Sequence, residues 1–199
     1  SRTSGDCKMN ISQKGFSVLE LAISLVISSI IYVSFLGYFV NMSKGDLEKE
    51  TNAKIQEIEA ALNKYVQTNG YLPCPASRDD ALTSSNLGVS TDCTLGSATG
   101  TTDVTNASTT IRIGAVPVAT LGVDRNYIFD GWKNRFTYIV VKSLATTSSS
   151  FKSYAASGTG PIIIQDKNAN QTNVSNDVSY VLISHGMKGY GAYNIDGTV

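Results

Sequence analysis

The sequence predicts an α+β protein: one long N-terminal helix, membrane-spanning in its first half, whose second half packs against a small antiparallel β-sheet. Three observations carry this. Leu21 to Val40 holds no charge, and about 20 such residues in a helix cross roughly 30 Å of hydrocarbon. Leu47, Thr51, Ile55, Ile58, Leu62 and Val66 then recur every three or four residues, the stripe of an amphipathic helix. Later come short apolar clusters divided by turn-forming stretches, which read as strands.

The first element is preceded by a basic stretch. Arg2, Lys8 and Lys14 stand against Asp6, and such an excess keeps a segment on the cytoplasmic side. Met9 offers an alternative start that leaves a shorter leader with Lys14 and Gly15. A conventional secretory signal has a shorter apolar core and a cleavage site behind it. Here the suggestive junction, Gly15-Phe16, lies in front, so a cut there leaves the apolar helix on the mature chain. Glu20 is the acid inside the start of that helix. An acid in lipid costs about 2.5–3.5 kcal/mol on insertion scales and needs a partner or a wet neighbourhood. As a plain signal anchor, the chain would let Glu20 snorkel to the interface.

Beyond the span, Glu48, Lys49, Glu50, Lys54, Glu57 and Glu59 are expected to face water opposite the apolar stripe, and Asn69-Gly70 to end the helix with a left-handed cap. Gly37 and Gly45 weaken it locally by about 1 kcal/mol each. After leader and span, about 130–160 residues remain, enough for one small domain. Tyr71-Leu72-Pro73-Cys74-Pro75-Ala76 is a rigid extended exit. Thr83 to Thr110, rich in Ser, Thr and Gly, reads as a long loop. Ile111–Val118, Phe136–Val141 and Tyr180–Ile183 are the expected strands, with Pro161–Ile164 a fourth and Asp166–Asn176 a turn-rich spacer. The organisation is therefore 1–15 leader, 16–40 transmembrane and assembly helix, 41–69 amphipathic helix, and 70–199 extracytoplasmic sheet domain containing loop 83–110.

Lys and Arg total 16, as do Asp and Glu, so nothing marks a nucleic-acid surface. Cys74 and Cys93 are separated by 18 intervening residues across the loop. In an oxidising compartment they form a disulfide worth roughly 3 kcal/mol on the chain-entropy model, while Cys7 falls in the leader. A zinc site is the rival reading, but there is no CxxC and His185 is the sole histidine. Ser184-His185, completed by Asp130 or Asp196, invites a hydrolase reading, yet neighbours on a strand point to opposite faces. Asp166-Lys167-Asn168-Ala169-Asn170 begins like a calcium loop without that motif's glycine and final glutamate, and reads as a solvated turn.

Lys14-Gly15-Phe16-Ser17-Val18-Leu19-Glu20 resembles the N-terminal signature of type IV pilins and of the pseudopilins of type II secretion. The resemblance implies a pilin-like fold and no enzymatic activity. It implies a prepilin peptidase that cuts after Gly15 and methylates Phe16, and Glu20 partnering the new ammonium of a neighbouring subunit. It also implies filament assembly through Phe16–Val40, homo- or hetero-polymers with pilin-like subunits, and an inner-membrane platform with its ATPase. Asp130-Gly131-Trp132-Lys133-Asn134-Arg135-Phe136-Thr137-Tyr138 resembles the Asp-Pro-Trp-Gly-Asn-x-aromatic-x-Tyr segment of major pseudopilins, a turn feeding a strand with Trp132 beside the helix. Gly131 replaces the proline and Lys133 a glycine. Ser184–Tyr193 is similar to their glycine-rich C-terminal loop, which often helps bind calcium; here Lys188 stands where an acid is usual and Asp196 is the remaining acidic candidate, a weak one, so no cofactor is expected. The implied location is a bacterial inner membrane with the sheet domain in the periplasm. A membrane-anchored periplasmic enzyme or binding domain and a competence pseudopilin handling DNA are the alternatives.

Overall fold

The computed structural model describes residues 15, 17–106, 109–147, 152–153, 162–165 and 173–199. The leader before Gly15, Phe16, Pro161 and the Asp166–Asn170 turn fall outside the described residues. Two compact units divide between Lys44 and Gly45.

Helix α1 is Val18–Asn69; its assignment continues through Gly37 and Gly45. In the first unit, Val18–Leu36 has a mean hydropathy of 2.1 and is 0% buried, one helical stretch long and apolar enough to cross a membrane. Its serine hydroxyls are satisfied internally: Ser24 donates to the Glu20 carbonyl at 2.8 Å, Ser28 to Ser24 at 2.7 Å, Ser29 to Val26 at 2.7 Å and Ser34 to Ile30 at 3.0 Å. Serines bonded this way leave no hydroxyl proton to be stranded in hydrocarbon.

In the second unit, the expected stripe faces inward. Thr51, Ile58 and Leu62 are buried, Leu47, Ile55 and Val66 half-buried. Lys54 departs from the sequence reading. Its ammonium is tucked against the domain, 3.0 Å from the Phe129 carbonyl and 2.8 Å from Glu50, because its four-carbon stem can cover apolar surface while the head finds acceptors. Gly70, at φ 78°, ends the helix with its amide on the Val66 carbonyl at 2.7 Å, as the sequence predicts.

The chain then crosses the core in extended form. Leu72 through Ala76 are buried, and Ala76 and Ala115 exchange backbone bonds of 2.9 and 2.8 Å. The main sheet has strands β1 (Thr102–Asn106), β2 (Thr109–Ala115), β3 (Thr137–Val141) and β6 (Tyr180–Ile183), antiparallel in the order β1-β2-β3-β6. Register pairs Tyr138 with Leu182 and Val140 with Tyr180. Tyr138 and Val140 thus share one face, and both join Ile58 and Leu62 in a single core. Burial pushes the Tyr138 phenol well above its ordinary pKa, and its hydroxyl donates to the Pro73 carbonyl at 3.2 Å.

Four expectations need correction. Segment 83–110 is not loop throughout, since β1 and the start of β2 lie in it; the mostly polar run Thr-Asp-Val-Thr-Asn makes a strand here because β2 supplies the ladder, not because apolar residues demand it. Strand β2 stops at Ala115, where Pro117 removes a donor, and Val118–Leu121 forms a single helical turn, α2. The Ile-rich run becomes β4 (Ile162–Gln165), in a separate two-stranded sheet rather than as a fourth strand of the main one. Its partner, β5 (Asn173–Val178), begins inside the stretch read as turn.

Two long cations organise the loops. Arg112 on β2 is 0% exposed. It reaches both Asp103 oxygens at 2.7 and 2.9 Å and the carbonyls of Asp92, Leu95 and Gly96 at 2.6, 3.0 and 2.7 Å. Arg135 is 1% exposed and holds the carbonyls of Asp80, Asn194 and Ile195. Burial draws its guanidinium below its ordinary value, with Asp80, Asp79 and Asp196 opposing. The Cys74–Cys93 disulfide is formed, with Cα atoms 5.8 Å apart, and it pins the same loop that Arg112 grips.

The Arg112 hydrogen bond holds the Asp103 carboxyl below its ordinary pKa, with Lys142 at 3.0 Å assisting. Folding lowers this pKa, so the contribution is complete above about pH 4 and drains as pH falls through the folded value. Asp103→Asn should cost about 3 kcal/mol at pH 7, leaving a buried cation undercompensated. It should also flatten the acid limb of stability, both readable in thermal melts of the full chain in detergent from pH 7 to 2.

Candidate functional site

Two separate places bring the sequence-marked residues into view. The first is the start of α1. Gly15 and Glu20 are exposed, and Glu20 sits in the first turn. A carboxylate there gains only about 0.3–1 kcal/mol from the helix dipole, against the 2.5–3.5 kcal/mol cost of an acid in lipid. Its neighbours are exposed hydrophobics: Leu19 is 69% exposed, Leu21 53% and Ile23 53%. At about 1.5–3 kcal/mol per buried aliphatic side chain, their combined need for cover far exceeds the cost of the one acid. Length and apolarity therefore suit this stretch to crossing a membrane despite Glu20.

The second place is the junction of the two motifs near residues 130 and 185, which the fold joins. Ser184 donates to Asp130 Oδ2 at 2.8 Å, and Asn134 Nδ2 donates to the Gly186 carbonyl at 2.7 Å. The Arg135 amide bonds the Tyr193 carbonyl at 2.8 Å. Asp130, fully buried, also accepts the amides of Trp132 and Asn134 at 2.9 Å each through Oδ1. It is the post around which the turn winds.

That turn abuts α1. The Gly131 amide donates to Thr51 Oγ1 at 2.9 Å, and Thr51 donates onward to the Leu47 carbonyl at 2.8 Å. A Cβ on Gly131 would lie 2.4 Å from the Leu47 oxygen. Proline, which occupies this place in the motif that the segment resembles, has no amide hydrogen to give Thr51. Lys133 adopts φ 68°, the left-handed conformation suited to the motif's glycine. Trp132 lies half-buried beside Thr51, Asn52 and Ile55 in the wall of a groove of about 290 Å³. Its indole nitrogen is buried and has no hydrogen-bond partner among the described residues.

The hydrolase arrangement is not assembled. Ser184 bonds Asp130 directly, whereas His185 Nε2 meets Thr137 Oγ1 at 2.9 Å and Nδ1 meets the Tyr190 carbonyl at 3.0 Å. The carbonyl can only accept, so Nδ1 donates in that bond. Asp196 lies in the C-terminal turn, its amide on Asn194 Oδ1 at 2.9 Å. Among the described residues, no three His, Cys, Asp or Glu side chains cluster as a metal site. Sequence reasoning missed Arg112, Arg135 and Asp103. Arg112 stands between Ile111 and Ile113, so alternation alone puts it on the water-facing side of a strand, and no local signal marked it as buried.

Compared with known proteins, the chain matches no family model, no characterised sequence and no solved structure.

Lys133→Gly should raise stability by about 1 kcal/mol, relieving left-handed strain less the added chain entropy; a fall in the unfolding midpoint would contradict this. Gly131→Ala should cost about 2 kcal/mol by overpacking against helix backbone, seen as a lower midpoint in urea.

Proposed function

We propose that this chain is a structural subunit of a type II secretion pseudopilus or a related type IV pilus-like filament. In this reading, a prepilin peptidase cuts after Gly15 and methylates Phe16. The freed amine has an ordinary pKa near 7.7–8.0 and stays largely cationic at neutral pH. It neutralises Glu20 of a neighbouring subunit as the apolar helices leave the bilayer and pack together. A buried acid matched to one cation then acts as a register device, because every other alignment leaves a charge unpaired in an apolar core. An inner-membrane platform and a cytoplasmic ATPase supply the work, and the sheet domains, in the periplasm before extraction, coat the fibre.

One observation carries the reading: Glu20 lies in the first turn of an exposed apolar helix, five positions after Gly15 and four after Phe16 of a glycine–phenylalanine junction with a basic flank. Supporting it, the turn at Asp130–Asn134 has a left-handed residue where the resembling motif has glycine and sets Trp132 beside the helix, while its Gly131–Thr51 bond is one that the motif's proline could not make. The direct Ser184–Asp130 bond leaves no histidine between acid and hydroxyl, so these residues do not form the hydrolase triad that the sequence suggested.

Glu20→Ala should leave the membrane-inserted monomer at its normal level by immunoblot. Filament yield in electron micrographs of the parent cell should fall by about a hundredfold, the weight of an interaction near 3 kcal/mol. Filaments in normal number would sink the charge-docking reading.

A further inference from the structure

The Cys74–Cys93 bridge has chemically unequal ends. Cys74 Sγ lies 3.7 Å from Nη1 of Arg112, whose side chain is 0% exposed. Cys93 contributes instead to the wall of a cavity of about 430 Å³, shared with Thr94, Thr109, Thr110, Lys142 and Ser143. Both half-cystines are themselves nearly buried, at 5% and 3% exposure, and the cavity is the opening that Cys93 lines.

From this asymmetry we infer that the bridge is a directional thiol–disulfide exchange site: an external thiolate attacks Cys93 and expels Cys74. The ligand class is a thiol nucleophile, and the inference does not depend on the filament reading. The entering thiolate forms a new S–S bond to Cys93 Sγ as the Cys74–Cys93 bond breaks. The entering sulfur is oxidised, and Cys74 takes the electron pair and leaves as a thiolate. The proton of the entering thiol has already passed to water. No further oxidant or reductant is needed for this step.

The charges on both sides favour that polarity. A thiolate beside a guanidinium is stabilised, and the sulfur that makes the more stable thiolate is the better leaving group. Arg112 is shared with Asp103 at 2.7 Å, and Asp103 is shared in turn with Lys142 at 3.0 Å, so the acid does not cancel both cations. Lys142, whose ammonium also reaches the Leu95 carbonyl at 2.6 Å, lines the cavity and draws in an anionic nucleophile. Asp92 adjoins Cys93 in the chain, its carboxylate bonded to Thr94, and disfavours negative charge at Cys93. Run backwards, the same path has the Cys74 thiolate closing the bridge on a mixed disulfide carried by Cys93. That is the step by which an extracytoplasmic oxidant would complete the fold.

The test uses the native full chain in detergent with reduced glutathione as the nucleophile. Exchange is quenched with acid at early times, and the peptides containing each cysteine are quantified by mass spectrometry. Glutathione should sit on Cys93 at least about threefold more often than on Cys74, as about one pKa unit between the leaving thiols would give with a Brønsted slope near 0.5. The same reaction in urea, which withdraws Arg112, should bring the ratio towards one. Equal partition in the native chain, preference for Cys74, or reaction only after unfolding would each overturn the inference.

Discussion

An apolar helix without cover is the constraint on which the rest of this protein depends. No residue of Val18–Leu36 is buried, and aliphatic side chains in water cost far more collectively than one acid in lipid. The segment must be covered by lipid or by other helices. Glu20 turns that general demand into a specific one, because lipid alone leaves its charge unanswered and the helix dipole offsets only a fraction of the cost. A partner bearing a cation at the right depth satisfies both demands together.

Cover of a different kind holds the second unit together. Its core is modest, built from Ile58, Leu62, Tyr138, Val140 and the extended Leu72–Ala76 exit, and much of its chain runs outside regular elements. Those stretches are fixed by charge-assisted bonds to backbone carbonyls. Arg112 fastens residues 92–96 to the sheet, and Arg135 fastens Asp80 to the C-terminal turn. A guanidinium suits this task because its planar fork serves several acceptors at once. The disulfide and Arg112 act on one loop, so covalent and electrostatic restraint reinforce each other there.

Much of the helical part was legible in the sequence, since period and caps are local signals. The stripe from Leu47 to Val66 and the Gly70 stop stand where the spacing puts them. Strands were legible where apolar residues cluster, as at Tyr180–Ile183. Strand β1, carrying Thr and Asn, and β5, reading Asn-Val-Ser-Asn-Asp-Val, were not, because their pairing comes from distant partners rather than from their own composition. The same limit hid the site. Nothing local says that Arg112 turns inward to Asp103, that Lys54 finds the Phe129 carbonyl, or that Asp130 receives Ser184 from 54 positions away. Gly131 and Lys133 are instructive: as departures from a motif they looked like losses, and the fold assigns the first an amide donor and a close helix contact, the second a strained left-handed turn.

The filament account stands or falls on a liberated amine at Phe16, so the most direct measurement is the intact mass of the chain extracted from its native membrane. The account predicts a polypeptide lacking everything through Gly15 and carrying one added methyl group at its new N-terminus. A functional chain that retains Lys14 and Gly15, with Phe16 inside an ordinary peptide bond, would contradict it.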